Sequence, residues 1–432
     1  MQKRIIAGLA LIAGVGLFSI YAYHSSIEPI ASEAASTFSP AEIAQGKMLA
    51  AAGYCGTCHT KTNDSAAPYA GNYAMHTEFG TIYSSNITPD PATGIGSWSL
   101  EAFSRAMRTG VSRDGHHLLP AFPYEHFNKM TDQDIKAIYA YIMTSIPAVK
   151  QTKMENDIPF PLNIRWLQAG WKLLFADTSS FVKQDEKSAE WNRGAYLAEG
   201  ISHCGACHTP RNAVGAEDYD NMYAGATING WLAPPLTAAN PAPLPWQTQD
   251  ILEYLTTGNS LYHGSAGGPM APVVHVGMSA LSSSDLEAIS VYFAELAGNG
   301  EFEQVTNDHL LSAIDAQKDM PDARLDQGAN LYAAACQSCH FSGSTLVKGR
   351  PLLSLGSALH LDEPTNLINV MLDGFHADQG IKGIVMPEYR DAFSDEDIAN
   401  IAAYLRQSAG EEAWPNLTSK VGEVRRQPKY VH

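Results

Sequence analysis

The chain has 432 residues, room for three domains at roughly 100–200 residues each, and 45% hydrophobic residues to build their cores. Its formal net charge of −17 argues against nucleic acid or an anionic lipid surface as the main partner. That charge suits solubility or a basic docking patch, and 24 Pro with 35 Gly predict a loop-rich fold.

Lys3 and Arg4 precede an apolar run from Ile5 to Tyr23. A cleavable export signal has an apolar core of roughly 7–15 residues with small residues close behind it. This run is 19 residues long, near the roughly 20 that span a bilayer. The nearest plausible cleavage point, after Ser32-Glu33-Ala34, is far from the core. An uncleaved anchor is therefore the expectation, with its basic end left on the cytoplasmic side.

Three units then repeat position by position. Each opens with a short helix carrying a glycine, at Gly46, Gly194 and Gly328. A Cys-x-x-Cys-His motif follows eight to ten residues on: Cys55/Cys58/His59, Cys204/Cys207/His208 and Cys336/Cys339/His340. The three motifs have one local form. Next comes a helix ending in glycine, Phe103 to Gly110, Ile251 to Gly258 and Leu367 to Gly374. An apolar helix closes each unit, with an acid near its start and a tyrosine seven residues later: Asp134/Tyr141, Asp285/Tyr292 and Asp397/Tyr404. Acidic first turns suit the positive end of a helix dipole, and Ile135, Ile138, Tyr139 and Ile142 have helical spacing. Small residues in the opening helix let the closing helix cross it closely.

The pattern predicts an all-α protein of three tandem class I cytochrome c-like haem domains behind an N-terminal membrane anchor. The expected boundaries are a signal anchor at 1–24, a linker at 25–39, domain I at 40–150 and a linker at 151–186. Domain II follows at 187–299, a linker at 300–325, domain III at 326–409 and a C-terminal tail at 410–432. The first linker holds Pro159, Pro161, Trp166, Trp171, Leu173, Leu174 and Phe175. Packing between domains is its commoner explanation, and a membrane-surface role is the alternative.

Two thiols spaced by two residues add to the two vinyl groups of one haem, and the next histidine reaches the iron. One such motif has rival readings as a redox dithiol or half a zinc site. A dithiol needs no following histidine, and a structural zinc site needs further ligands at regular spacing. Three copies at one place in a repeated unit, using all six cysteines, point instead to three covalently bound haem c groups with proximal ligands His59, His208 and His340.

The sixth ligand decides what each iron does. A methionine opposite histidine raises the potential and closes the iron to small molecules, which suits electron transfer. Met270 lies 12 residues after Gly258, and Met386 lies 12 after Gly374, so these two are the expected ligands in units II and III. Twelve residues after Gly110 stands Phe122, which cannot bind iron. His126 is the first candidate there and His117 the second, with His116 and Met130 behind them. An imidazole would give a bis-histidine haem of lower potential. The alternative is an iron with no protein ligand on that side. His203, His263 and His275 read as supporting or surface residues, and Arg108 and Arg193 as candidates to neutralise haem propionates.

Several stretches resemble the three-haem cytochrome c subunits of membrane-bound bacterial dehydrogenases. They are Ser85-Asn86-Ile87-Thr88-Pro89-Asp90 with Gly94-Ile95-Gly96, Pro120 to Tyr124, Trp191 to Tyr196, and His203 to Asn212. The likeness covers nearly everything after residue 40. It implies a periplasmic subunit on the bacterial inner membrane, passing electrons from a partner dehydrogenase to ubiquinone or the respiratory chain. Subunits paired with quinoprotein alcohol or flavin sugar dehydrogenases usually hold methionine where this chain has Phe122. Those paired with molybdenum hydroxylases, oxidising aldehydes, nicotinate or isoquinoline, are more similar in Pro120 to Tyr124, Gly268 to His275, and Ala413-Trp414-Pro415. Such a partner would carry molybdopterin and iron–sulfur clusters. A subunit of the first branch, or a peroxidase-like haem enzyme using an open haem I, is the rival.

Overall fold

The computed structural model describes residues 2–31, 38–62, 67–298, 326–340, 350–376 and 385–427. The cleavage point considered at Ser32-Glu33-Ala34 and the expected linker 300–325 lie outside the described residues. The chain divides into two compact units. One comprises Met1–Val182 with Glu199–His203 and Asn212–Glu217; the other comprises Lys183–Ala198, Cys204–Arg211 and Asp218–His432.

In the first unit, helix α1 (Gln2–Ala22) is long and apolar enough to cross a membrane, with mean hydropathy 2.2. Its exit is tied to the rest of the unit. The Ala22 carbonyl meets His117 Nε2 at 2.9 Å, Arg105 donates to the Ser25 carbonyl at 2.9 Å, and the Ile27 amide donates to Arg113 at 2.8 Å.

Helix α2 (Pro40–Ala52) starts at a full capping box, in which Ser39 accepts from the Glu42 amide and Glu42 accepts from the Ser39 amide. Helix α3 (Leu100–Thr109) is capped by Ser99 and ends at Gly110, whose φ of +59° suits a residue without a Cβ. Helix α4 (Asp132–Ser145) is capped by Thr131 and buries Ile135, Ile138, Tyr139 and Ile142. Helix α5 (Gln168–Phe175) lies in the first linker.

The second unit repeats this plan twice, with α6 (Ala189–Glu199), α7 (Thr248–Thr257), α8 (Ser283–Leu296), α9 (Gln327–Ala335), α10 (Thr365–Asp373) and α11 (Asp395–Ser408). The segment expected as a tail forms α12 (Leu417–Arg426), and its Leu417, Val421 and Val424 join the core of α10 and α11. Trp414 donates to the Leu361 carbonyl at 2.9 Å beneath the Arg406 guanidinium.

The opening and closing helices cross at one geometry in every unit. A Cβ on Gly46 would overlap the Ala137 carbonyl and lie 2.9 Å from Tyr141 Cβ. On Gly194 it would meet Ala288 and Tyr292, and on Gly328 Asn400 and Tyr404, each tyrosine Cβ again at 2.9 Å. The residue before each glycine reaches the acid of the closing helix: Gln45 to Asp134 at 2.5 Å, Arg193 to Asp285 at 2.8 Å, and Gln327 to Asp397.

The all-helical expectation needs one correction: short antiparallel hairpins accompany the helices. They are β1 (Ala74–Thr77) with β2 (Gly80–Tyr83), β3 (Ala226–Ile228) with β4 (Trp231–Ala233), and β5 (Asn259–Ser260) with β6 (Gly264–Ser265). Strands of two to four residues are too short to show an alternating pattern in sequence.

Candidate haem-binding site

Each of the first two motifs is a single short helical turn, Cys55–Cys58 and Gly205–His208, closed by the histidine amide donating to the carbonyl of the first cysteine. The following hairpin then returns a carbonyl to the histidine. His59 Nδ1 lies 2.7 Å from the Ser85 carbonyl, just past β2, and His208 Nδ1 lies 2.7 Å from the Pro234 carbonyl, just past β4. A carbonyl only accepts, so Nδ1 carries the proton and Nε2 keeps its lone pair for a metal. Burial lowers the proton affinity of both rings against the opposing effect of those carbonyls, which favours the neutral ligand form. His340 is likewise shifted down by burial, then by Arg350; its Nδ1 has no partner among the described residues.

The third motif makes the same backbone turn: the His340 amide donates to the Cys336 carbonyl at 2.9 Å, as His59 does to Cys55 at 2.9 Å and His208 to Cys204 at 3.1 Å. In the third repeat the motif follows directly on α9, and Cys339 is exposed where the other five cysteines are half-buried. Arg350 donates to the Cys339 carbonyl at 2.6 Å, and the Ser338 hydroxyl lies 3.9 Å from its Sγ. Cys339 keeps the spacing to Cys336 and His340 that attachment needs.

The cysteines do not resemble a redox dithiol. A reactive pair needs a depressed thiol pKa. Here burial, and then the neighbouring Cys58, push Cys55 up to about 12; burial and Cys207 do the same to Cys204; and burial, then Cys339, raise Cys336 to about 11. None of the three pairs is a disulfide. Among the described residues no three His, Cys, Asp or Glu side chains cluster as a zinc site would require. Thiols held protonated, close in the chain to a histidine whose Nε2 keeps its lone pair, fit thioether attachment of a haem.

The sixth-ligand loops of units I and II follow one register. Leu118 donates to the Gly110 carbonyl at 2.7 Å, and Ala266 to the Gly258 carbonyl at 2.8 Å, eight residues on in both. Val111 pairs with His117 as Asn259 pairs with Ser265. Phe122 and Met270 thus stand at equivalent places, four residues past the return bond, each half-buried. The loop of unit III takes another path. Phe375 and Met386 exchange backbone bonds of 3.0 and 3.1 Å, so Met386 itself is the returning residue. Gly374, at φ +66°, lies under the Met386 carbonyl. Equal 12-residue spacing therefore joins two different loop shapes.

Both candidate histidines of unit I have their ring nitrogens engaged. His126 is 1% exposed, with Nδ1 2.9 Å from the Glu199 carbonyl and Nε2 3.1 Å from the Glu217 carboxylate. Burial opposes protonation of this ring, and the Glu217 carboxylate outweighs it, so its pKa is raised. His117 bonds the Ala22 carbonyl through Nε2 and faces Lys172 Nζ at 3.2 Å through Nδ1. Iron ligation by either ring would exchange one of these bonds. His116 is exposed, and Met130 is buried beside the cap of α4.

His203 packs against the rings of Tyr54, His126 and Phe127, and burial, then His126, press its pKa down to about 4. His263 stacks on Trp246 with ring centroids 4.0 Å apart, and His275 lies against Gly258. The two arginines considered for propionates are ion-paired, Arg108 with Asp132 at 2.6 Å and Arg193 with Asp285 at 2.8 Å. Sequence reasoning missed Glu217 as the partner of His126. It also missed the carbonyl-delivering hairpins, for which Asn229-Gly230, a turn dipeptide with positive φ at both residues, is a readable signal.

Comparison with known proteins identifies cytochrome c sequences at both ends of the chain. The family description "Cytochrome c" matches residues 43–145, and "Cytochrome C oxidase, cbb3-type, subunit III" matches residues 323–405. The chain is 41% identical to a nicotinate dehydrogenase subunit of Pseudomonas putida over 94% of its own length. It spans only 34% of that larger protein. It is 35% identical to the fructose dehydrogenase cytochrome subunit of Gluconobacter japonicus, covering 90% of this chain and 84% of the relative. Against the gluconate 2-dehydrogenase cytochrome c subunit of Pantoea cypripedii it is 35% identical, covering 88% of each.

Proposed function

Because the chain belongs to the cytochrome c subunits of bacterial dehydrogenases, we propose that it relays single electrons from a dehydrogenase partner through three haem c groups, one in each of three tandem domains. Bound haem supplies reversible one-electron chemistry at iron, and the protein sets its potential through the axial ligands. Cys55/Cys58, Cys204/Cys207 and Cys336/Cys339 hold the three groups, and His59, His208 and His340 bind iron through Nε2. Met270 and Met386 close two of the irons. At the first, His126 or His117 takes that place. The observation that carries the reading is the repeated delivery of a backbone carbonyl to the proximal imidazole in sites I and II.

The partner is proposed to carry molybdopterin and iron–sulfur clusters and to oxidise an aldehyde or N-heterocycle, as the 41% identity to a nicotinate dehydrogenase subunit supports. Electrons leave to ubiquinone or a downstream cytochrome, on the periplasmic side of the inner membrane. The structural support for an uncleaved anchor is the set of bonds that tie residues 22–27 to Arg105, Arg113 and His117.

Mass spectrometry of protein matured in a haem-ligating periplasm tests the haem count, with three thioether-bound haems expected and two or fewer overturning it. Identifying the subunits that copurify from the native membrane tests the partner.

A further inference from the structure

The first linker contains a stripe of apolar side chains that the haem sites do not use. Helix α5 is two-faced. Gln168 and Ala169 are buried against the protein, and Lys172 donates to the Thr109 and Gly110 carbonyls at 2.6 Å. Leu173 and Leu174 of α5 are exposed, Leu174 at 72%, as are Trp166 and Leu167 of the 3-10 turn Arg165–Leu167 that leads into it, and the loop before presents Phe160 at 79%. A soluble surface scatters such residues singly. Here five of them lie exposed within fifteen residues of chain, four of those spaced i, i+1, i+7 and i+8 across the turn and α5.

That face is continuous with the anchor. Phe18 of α1 stands edge-on to Trp166 with centroids 4.3 Å apart, and its ring is 3.5 Å from the position of a Cβ on Gly170. Phe18 lies four residues before the end of α1, roughly 6 Å at 1.5 Å per residue. An interfacial helix buries its apolar side roughly 5–10 Å into the headgroup boundary. Tyr21 and Tyr23, both exposed, follow Phe18 within five residues at the exit of α1, and Tyr and Trp are the residue types that mark such a boundary.

We infer that α5 and the Phe160 loop lie in the outer leaflet boundary as a second membrane contact, holding the first haem domain against the bilayer. The occupant of the face is lipid acyl chain, since the contact begins on a helix already long enough to span. This rests on the anchor reading of α1. Its consequence is orientation: a single span leaves a domain free to tilt, and a second contact beside it does not.

The test is photo-cross-linking of the full haem-loaded chain in its native membrane, with p-benzoylphenylalanine placed singly at Leu9, Phe160, Leu174 and Asp132. The haem absorption spectrum of each variant checks folding. Lipid adducts at Phe160 and Leu174 in yields like that at Leu9, with none at Asp132, are expected. Lipid adducts at Leu9 alone overturn the interface while the anchor stands. Adducts at neither Leu9 nor Leu174 overturn the anchor and the interface together. A protein adduct in place of lipid at Leu174 assigns the face to a partner subunit and overturns the lipid reading.

Discussion

The helix crossing and the sixth-ligand loop are built by opposite rules. At the crossing, three units keep the same glycine, the same tyrosine Cβ at 2.9 Å, and the same bond from the preceding residue to an acid. In the loop, units I and II share a register but differ at the decisive residue, Phe122 against Met270. Unit III keeps the methionine and changes the path. Close approach of two backbones tolerates one residue type, so the crossing cannot vary without loss of packing. A loop needs only to deliver one ligand atom, and it has many ways to do so.

The crossing is where a single methyl group should do most damage. Alanine in place of a mid-helix glycine ordinarily gains about 0.5–1 kcal/mol. At Gly46 and Gly194 the sign should reverse, because the added Cβ meets a backbone carbonyl that cannot move without separating the helices. Gly46→Ala and Gly194→Ala should each lose about 3 kcal/mol in denaturant unfolding of the affected unit. Gly328→Ala should behave in the same way. A neutral or stabilising result at any of them would break the claim that the three crossings are one structure.

The loops are sharpened by ligand substitutions. Met270→Ala and Met386→Ala should each lower one haem potential by on the order of a hundred millivolts, read by redox titration, with the haem still attached. At the first haem, electron paramagnetic resonance of the oxidised wild type should be low-spin. His126→Ala should turn one signal high-spin; if only His117→Ala does so, the second candidate is the ligand. A wild-type chain with one equivalent of high-spin iron that binds carbon monoxide quickly would leave that iron open. His126→Ala should in any case destabilise the first unit by about 1–3 kcal/mol, because Glu217, 8% exposed, loses the imidazole it bonds.

Much of this was legible where chemistry or close packing demands a residue type. The cysteines and histidines of the three motifs, the glycines at the crossings and the acid–tyrosine pairs stand out because each answers a constraint that recurs. What was not legible lacks either recurrence or periodicity. Identical motif spacing gave no hint that Cys339 stands exposed where the other five cysteines are half-buried. The residue before each crossing glycine does the same work three times, yet reads Gln45, Arg193 and Gln327, so its identity hides its role. The hairpins are too short to show a period. Glu217 lies 91 residues from His126, a distance over which local pattern carries no information. Helix α12 was hidden by its charged face, Lys420, Glu423, Arg425 and Arg426, which conceals the Leu417–Val421–Val424 stripe that enters the core.

Arg193→Ala tests the bond before the glycine. The guanidinium is partly exposed and its partner Asp285 largely buried, so about 0.5–1 kcal/mol should be lost, with haem content unchanged. Gln45→Ala should lose a comparable amount if the two crossings are equivalent. A much larger loss at Arg193 would mean that its contact over the Tyr196 ring matters more than the repeated bond.

The smallest effect concerns pH at the closing helix of the third unit. The Ser394 hydroxyl donates to the Asp397 carboxylate at 2.7 Å and accepts from its amide at 3.1 Å. The Ser394 side chain, then its backbone amide, hold the Asp397 carboxyl below its ordinary value of 3.8, against a weaker opposing effect of burial, with Gln327 adding to the shift. A carboxyl whose folded pKa is depressed stabilises the fold fully above the unfolded value and loses that contribution as pH falls through the folded one. Ser394→Ala removes the cap and should cost about 1 kcal/mol at neutral pH. Its penalty should shrink once pH drops below 3.8, because the charged acceptor that the hydroxyl serves is then being protonated in wild type as well. Denaturant midpoints of wild type and variant across that range measure the difference. A penalty that stays constant as pH falls would show that the hydroxyl acts on the helix amide alone, and that the Asp397 charge takes no part in closing the third unit.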